Sequence, residues 1–187
     1  MIYLFHGFGS SAEQSTTVNT LQDHLRPNHP TCPISYPSWS PADTAAQVRE
    51  TIGDPGPEPC FIGVSLGGFW ARYFANQFSD SRLFLINPSV NAPVSVRKFA
   101  GETVNGHIIP ESFGDDHLPY RIDSDRKGMP IGVVVATDDT VVDPKMTIDT
   151  YQNRPHTEFI QTTGGHRLRL DASHLAAVDR LLAAPLP

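Results

Sequence analysis

Gly63-Val64-Ser65-Leu66-Gly67 sets a serine between two glycines, each two positions away. The run before it, Cys60–Val64, is short and apolar and reads as a buried strand. After it, Leu66, Phe69, Trp70, Tyr73, Phe74 and Phe78 fall on one face of a helix. Between a strand and a helix, Gly-x-Ser-x-Gly is a nucleophile elbow. The turn holds the serine in strained backbone at the strand's carboxyl end, where side chains at the flanking positions would strike neighbouring backbone. The serine oxygen then stands above the sheet edge, and the N–H of Leu66 points to where an oxyanion would form. The alternative is a Gly/Ser turn with Ser65 as a simple cap; the strand-then-helix context favours the elbow.

Serine needs a base, and the base needs an acid, in the chain order Ser, Asp or Glu, His. Gly164-Gly165-His166 follows a strand-like run at Thr157–Gln161, and two glycines give His166 the freedom to reach Ser65. The acid must come from Thr137-Asp138-Asp139-Thr140-Val141-Val142-Asp143-Pro144, which follows Ile131–Ala136. Asp139 is the first choice. Asp138 can instead cap the loop, and Asp143 before Pro144 is a natural helix N-cap. A second oxyanion donor belongs in the loop after the first strand, where the amide of Phe8 in His6-Gly7-Phe8-Gly9 would face that of Leu66. His6, directly after a strand, reads as structural. His24, His29, His107, His117, His156 and His174 form no metal-ligand spacing with acidic residues, so neither a metal nor a cofactor is expected.

The elements that must position these residues alternate. Ile2–Phe5 is an apolar strand, and Val18, Leu21 and Leu25 mark a helix. Cys32–Tyr36 is a weaker strand. Ser40-Pro41 starts a helix with Ala45, Val48 and Ile52 on one face and Gly53 as its stop. Leu83–Ile86, Ile131–Ala136 and Thr157–Gln161 are further strands, and Leu175, Val178, Leu181 and Leu182 mark a closing helix. This alternation predicts an α/β fold, a mostly parallel sheet of about six strands with helices on both faces. Residues 1–187 read as one domain. Within it, Asn87–Pro130 resists the pattern; its irregular core, 91–128, is the candidate for a small lid or pocket segment.

Composition bounds the function. At 187 residues the chain can bury a sizeable core, and 39% hydrophobic content argues against disorder. A net charge of −6 without any basic cluster argues against a nucleic-acid partner. No apolar stretch is long enough to span a bilayer, and Met1–Phe5 lacks the basic leader of a signal peptide. Cys32 and Cys60 are too few for a disulfide framework, so a cytoplasmic location is the expectation. High proline (17 residues) and low charge (18%) fit a chain rich in turns and loops. Nothing in the sequence sets an oligomeric state.

His6-Gly7-Phe8, the elbow extended by Gly68-Phe69-Trp70, Asn87-Pro88, the Asp139/Asp143 pair and Gly164-Gly165-His166 together resemble the α/β-hydrolase superfamily. Within it the sequence is most similar to the small bacterial YqiA-like esterases. The resemblance runs from Ile2 to the closing helix, and only Ala92–Lys127 matches poorly. It implies a minimal, capless hydrolase core, with Ser65, Asp139 and His166 as triad and the Phe8 and Leu66 amides as oxyanion donors.

The expected function is hydrolysis of a small-molecule, short-chain ester through an acyl-enzyme on Ser65. An acyl-CoA thioester or an amide would use the same triad, and a non-catalytic binding module on the same fold is the reading from another class. Phe69, Trp70, Tyr73 and Phe74 read as helix core, and Phe113, His117 and Tyr120 as candidates to line an acyl pocket.

Overall fold

The computed structural model describes residues 1–186. In chain order the elements are β1 (Ile2–Phe5), α1 (Thr16–Leu25), β2 (Thr31–Ile34), α2 (Pro41–Ile52), β3 (Cys60–Val64), α3 (Leu66–Ala75), β4 (Arg82–Ile86) and α4 (Ala92–Ser95). They continue with β5 (Thr103–Val104), β6 (His107–Ile108), β7 (Ile131–Ala136), α5 (Pro144–Tyr151), β8 (Thr157–Thr162) and α6 (Ala172–Ala183). Six strands form one sheet in the order β2-β1-β3-β4-β7-β8, and every pair in it is parallel.

Alternation along the strands divides the core in two. Tyr3, Phe5, Phe61, Leu83, Leu85 and Val133 face α2, α3 and α5. Their neighbours Ile2, Leu4, Ile62, Phe84 and Val134 face α1 and α6. Side chains one residue apart on a strand point to opposite faces, so strands covered on both sides must be apolar throughout. That is why β1, β7 and β4 after Arg82 read as hydrophobic runs.

Several boundaries differ from the sequence reading: β4 begins one residue earlier, at Arg82, and β8 ends one later, at Thr162. The second strand is Thr31–Ile34, ending before Tyr36, whose hydroxyl instead donates to the His6 carbonyl. Pro33 is tolerated there because β2 lies at the sheet edge. Helix α3 stops at Ala75, and Phe78 packs against the core from the turn beyond it.

The segment 91–128 is more ordered than its composition implies. It holds α4, three 3₁₀ stretches and the antiparallel pair β5–β6. The pair turns at Asn105-Gly106, both with positive φ (51° and 80°). Asn-Gly is the preferred dipeptide of a two-residue hairpin, a signal the sequence carried in plain view.

The far end of this segment is pinned by a buried ion pair. Arg72 Nε donates to Asp125 Oδ1 at 2.6 Å, and the Tyr151 hydroxyl donates to Asp125 Oδ2 at 3.1 Å. No helix among the described residues is long and apolar enough to cross a membrane.

Candidate active site

The site lies at the carboxyl ends of the parallel strands. Ser65, between β3 and α3, has φ 55° and ψ −123°, a strained conformation for a residue with a side chain. The turn closes only because its flanking residues lack side chains. A Cβ on Gly63 would lie 2.3 Å from the Gly67 carbonyl oxygen, and one on Gly67 would lie 2.4 Å from the His6 carbonyl oxygen. The alternative of Ser65 as a simple cap fails, since its side chain makes no capping bond to α3.

Its hydroxyl instead donates to His166 Nε2 at 2.9 Å. His166 Nδ1–H donates to Asp139 Oδ2 at 2.7 Å, which leaves Nε2 as the acceptor toward serine. Asp139 is itself fixed, because its Oδ1 accepts the N–H groups of Val141 and Val142 at 2.8 and 3.0 Å. Ser65, Asp139 and His166 therefore meet from the ends of β3, β7 and β8.

The other two aspartates hold backbone. Asp138 accepts from Gly164 and Gly165 N–H at 2.9 to 3.1 Å, shaping the turn that carries His166. The N–H groups of Gly165 and Gly164 keep the Asp138 carboxyl below its ordinary range. Asp143 caps α5 by accepting Lys145 N–H at 2.9 Å.

Gly7 packs against Ser65: a Cβ there would lie 3.3 Å from Ser65 Cβ. Phe8 and Leu66, the two sequence-selected amide donors, both line the cleft that holds Ser65 and His166. Among the described residues, neither N–H has a hydrogen-bond partner in the chain. His6 is buried beside them: Nδ1–H donates to the Gly7 carbonyl at 2.8 Å, and the ring stacks on Tyr36 at 4.1 Å. Burial lowers its pKa below the ordinary histidine value.

The cleft encloses about 710 Å³. Val96 and Phe99 of the irregular segment line it, together with Val141 and Val142. The Phe8 and Phe99 rings lie 4.7 Å apart.

Phe113, His117 and Tyr120 are not there, which corrects the sequence reading. Phe113 and His117 are fully buried. His117 lies 5.5 Å from Phe69 and 5.9 Å from Trp70, and Tyr120 lies 5.0 Å from Trp70. They lie on two consecutive 3₁₀ stretches: His117 and Tyr120 pack on α3, and Phe113 packs between His117 and Phe8, at 4.8 and 5.3 Å. Val96 and Phe99, missed from sequence, carry helical i, i+3 spacing just after α4.

Cys60 is buried and its thiol is pushed up to about 12 by burial, while Cys32 is partly exposed; both are free. Among the described residues, no group of three or more His, Cys, Asp or Glu side chains is arranged to hold a metal ion.

A parallel sheet with an elbow serine after a central strand is the α/β-hydrolase fold, and solved structures share it. One is mouse alpha/beta hydrolase domain-containing protein 10, 15% identical, with a TM-score of 0.78 over 97% of this chain and 89% of that one. Another is Est1E from Butyrivibrio proteoclasticus, 12% identical, with a TM-score of 0.80 over 98% and 88%. A third is the Paleococcus ferrophilus monoacylglycerol lipase, 14% identical, with a TM-score of 0.68 over 97% and 93%. At such identities the likeness is one of fold. The chain belongs to the uncharacterised protein family UPF0227, whose model matches residues 1–183. No curated protein matches the sequence.

Proposed function

We propose that the protein is a serine hydrolase that cleaves small carboxylic esters through an acyl-enzyme on Ser65. The observation that carries this reading is the hydrogen-bonded line Ser65–His166–Asp139, at 2.9 and 2.7 Å, opening into the cleft.

His166 Nε2 takes the hydroxyl proton as Ser65 Oγ bonds to the ester carbonyl carbon. The amides of Phe8 and Leu66 donate to the resulting oxyanion, each contributing about 3 kcal/mol in sites of this kind. As the tetrahedral centre collapses, the bond from carbon to the alcohol oxygen breaks, and that oxygen takes the proton from His166. Water then repeats the sequence on the acyl-serine, releasing the acid and restoring the hydroxyl. Asp139 holds the imidazole in the tautomer this needs.

The apolar wall of Phe99, Val96, Val141 and Val142 supports a short acyl chain, and residues 1–187 act as one catalytic unit. Two free cysteines support a cytoplasmic location.

The test is a fluorophosphonate and a short p-nitrophenyl ester, used on wild type and Ser65→Ala. A covalent adduct on Ser65 and a loss of kcat on the order of 10⁶-fold in the variant are expected. Full activity in Ser65→Ala would sink the mechanism, and folded wild type without an adduct would leave a binding module. Matched oxygen ester, thioester and amide substrates then rank the leaving group.

A further inference from the structure

Asn87 sits at the end of β4, between the strand that carries Ser65 and the strand that leads to Asp139. It is 1% exposed, with φ 41°, in the left-handed region that asparagine enters more readily than most residues. Its side chain makes three hydrogen bonds, all to backbone. Oδ1 accepts the Ala136 N–H at 2.7 Å, and Nδ2 donates to the carbonyls of Gly165 at 3.0 Å and His166 at 3.2 Å. The Ala136 N–H can only donate, so the oxygen must face it, and the amide orientation is fixed.

Ala136 is the last residue of β7, and its carbonyl in turn accepts the Asp139 N–H at 3.2 Å. One side chain thus ties the strand end that sets the acid to the loop that carries the base. The same short segment also holds the nucleophile: Ser65 N–H donates to the Ile86 carbonyl at 3.0 Å, and Ser89 N–H donates to the Ser65 carbonyl at 2.9 Å. Residues 86–89 touch the backbone supporting all three members of the line.

We propose that Asn87 is a positioning residue that fixes the distance between Asp139 and His166, and through His166 the distance to Ser65. The proposal rests on the serine-hydrolase reading. Neither isostere can replace it: aspartate has no donor for the two carbonyls, and leucine has neither donor nor acceptor. Asn87 does not line the cleft, so it has no direct route to substrate binding.

Asn87→Asp keeps the shape and the acceptor but sets an oxygen against two carbonyl oxygens; Asn87→Ala removes the tie. Turnover is measured per site able to react with a fluorophosphonate, so that unfolded protein is not counted. In folded variants kcat should fall about 100-fold, the cost of a small misplacement of reacting groups. KM should stay within about twofold of wild type, since uniform binding is untouched. Fluorophosphonate labelling of Ser65 should slow in step.

Wild-type kcat per site, or a rise in KM alone, would overturn the proposal. Should neither variant fold, wild type decides: in ¹⁵N-labelled protein the Asn87 side-chain amide protons must be protected from solvent exchange, and fast exchange overturns the tie. A wild-type protein with no adduct at Ser65 would instead end the hydrolase reading, and the exchange measurement would still report the tie.

Discussion

Asp138 and Asp139 are adjacent in sequence and hold two ends of one loop: Asp139 grips the His166 imidazole, and Asp138 grips the N–H groups of Gly164 and Gly165 just before it. One carboxylate faces the ring, the other the backbone that carries it. Their side chains diverge because the chain turns between them, with Asp139 N–H bonded back to the Ala136 carbonyl at 3.2 Å.

The three aspartates should separate in kinetics. Asp139→Asn should lower kcat about 10⁴-fold, because an amide cannot hold the imidazole in the required tautomer. Asp143→Ala should leave kcat near wild type and cost about 1 kcal/mol of stability through the lost cap of α5. Asp138→Ala should fall between them, with kcat reduced and KM little changed. Steady-state kinetics with urea unfolding of each variant checks the order.

The elbow glycines should not tolerate alanine. Gly63→Ala and Gly67→Ala would each drive a methyl into backbone and should cost at least about 3 kcal/mol, yielding little folded protein. Gly165→Ala meets no atom within 4 Å and should cost only the about 1–2 kcal/mol of its positive φ. Thermal melts compare the three.

Stability should fall on mild acidification. Burial lowers the pKa of His117 and of His6, although a carbonyl bond opposes it at each. The unfolded chain takes up protons near the ordinary value of about 6.5, the native one only at lower pH. Between those values the unfolded state binds more protons, so the stabilisation is complete above about pH 6.5 and is lost as pH falls through the folded values. Among the described residues, His117 Nε2 is buried without a partner, so an added proton would meet no acceptor there. Urea midpoints should drop between about pH 7.5 and about pH 5, and His117→Phe should flatten part of that slope.

Removing one partner of the buried pair behind α3 should be severe. Asp125→Ala leaves the Arg72 guanidinium buried and uncompensated, at a cost of roughly 3–5 kcal/mol. Urea unfolding measures it. A cost below about 1 kcal/mol would mean that solvent reaches the pair.

The sheet and the line Ser65–Asp139–His166 were legible because local rules write them. Apolar runs of four to six residues mark strands buried on both faces, and glycines two positions either side of Ser65 mark the elbow. The choice among Asp138, Asp139 and Asp143 was harder: all three lie in one loop, and a single backbone turn decides which carboxylate meets the ring. Phe113, His117 and Tyr120 misled because residues of this kind without a long period look alike whether they line a cleft or pack behind it. Asn87 was visible as Asn-Pro, but its partners lie 49, 78 and 79 residues away, beyond any local pattern.

The ladder order gives the three supports unequal shelter. The serine follows β3, which has a strand on either side, whereas the histidine hangs from β8 at the rim. β8 is only half-buried along its length, and segments with few buried apolar contacts open at free energies below that of global unfolding. Gentle heating should therefore part His166 from Ser65 while β3 stays in place. The hydrogen-bonded line would open while the centre of the sheet still stood, and cooling would close it again for as long as only the rim had let go.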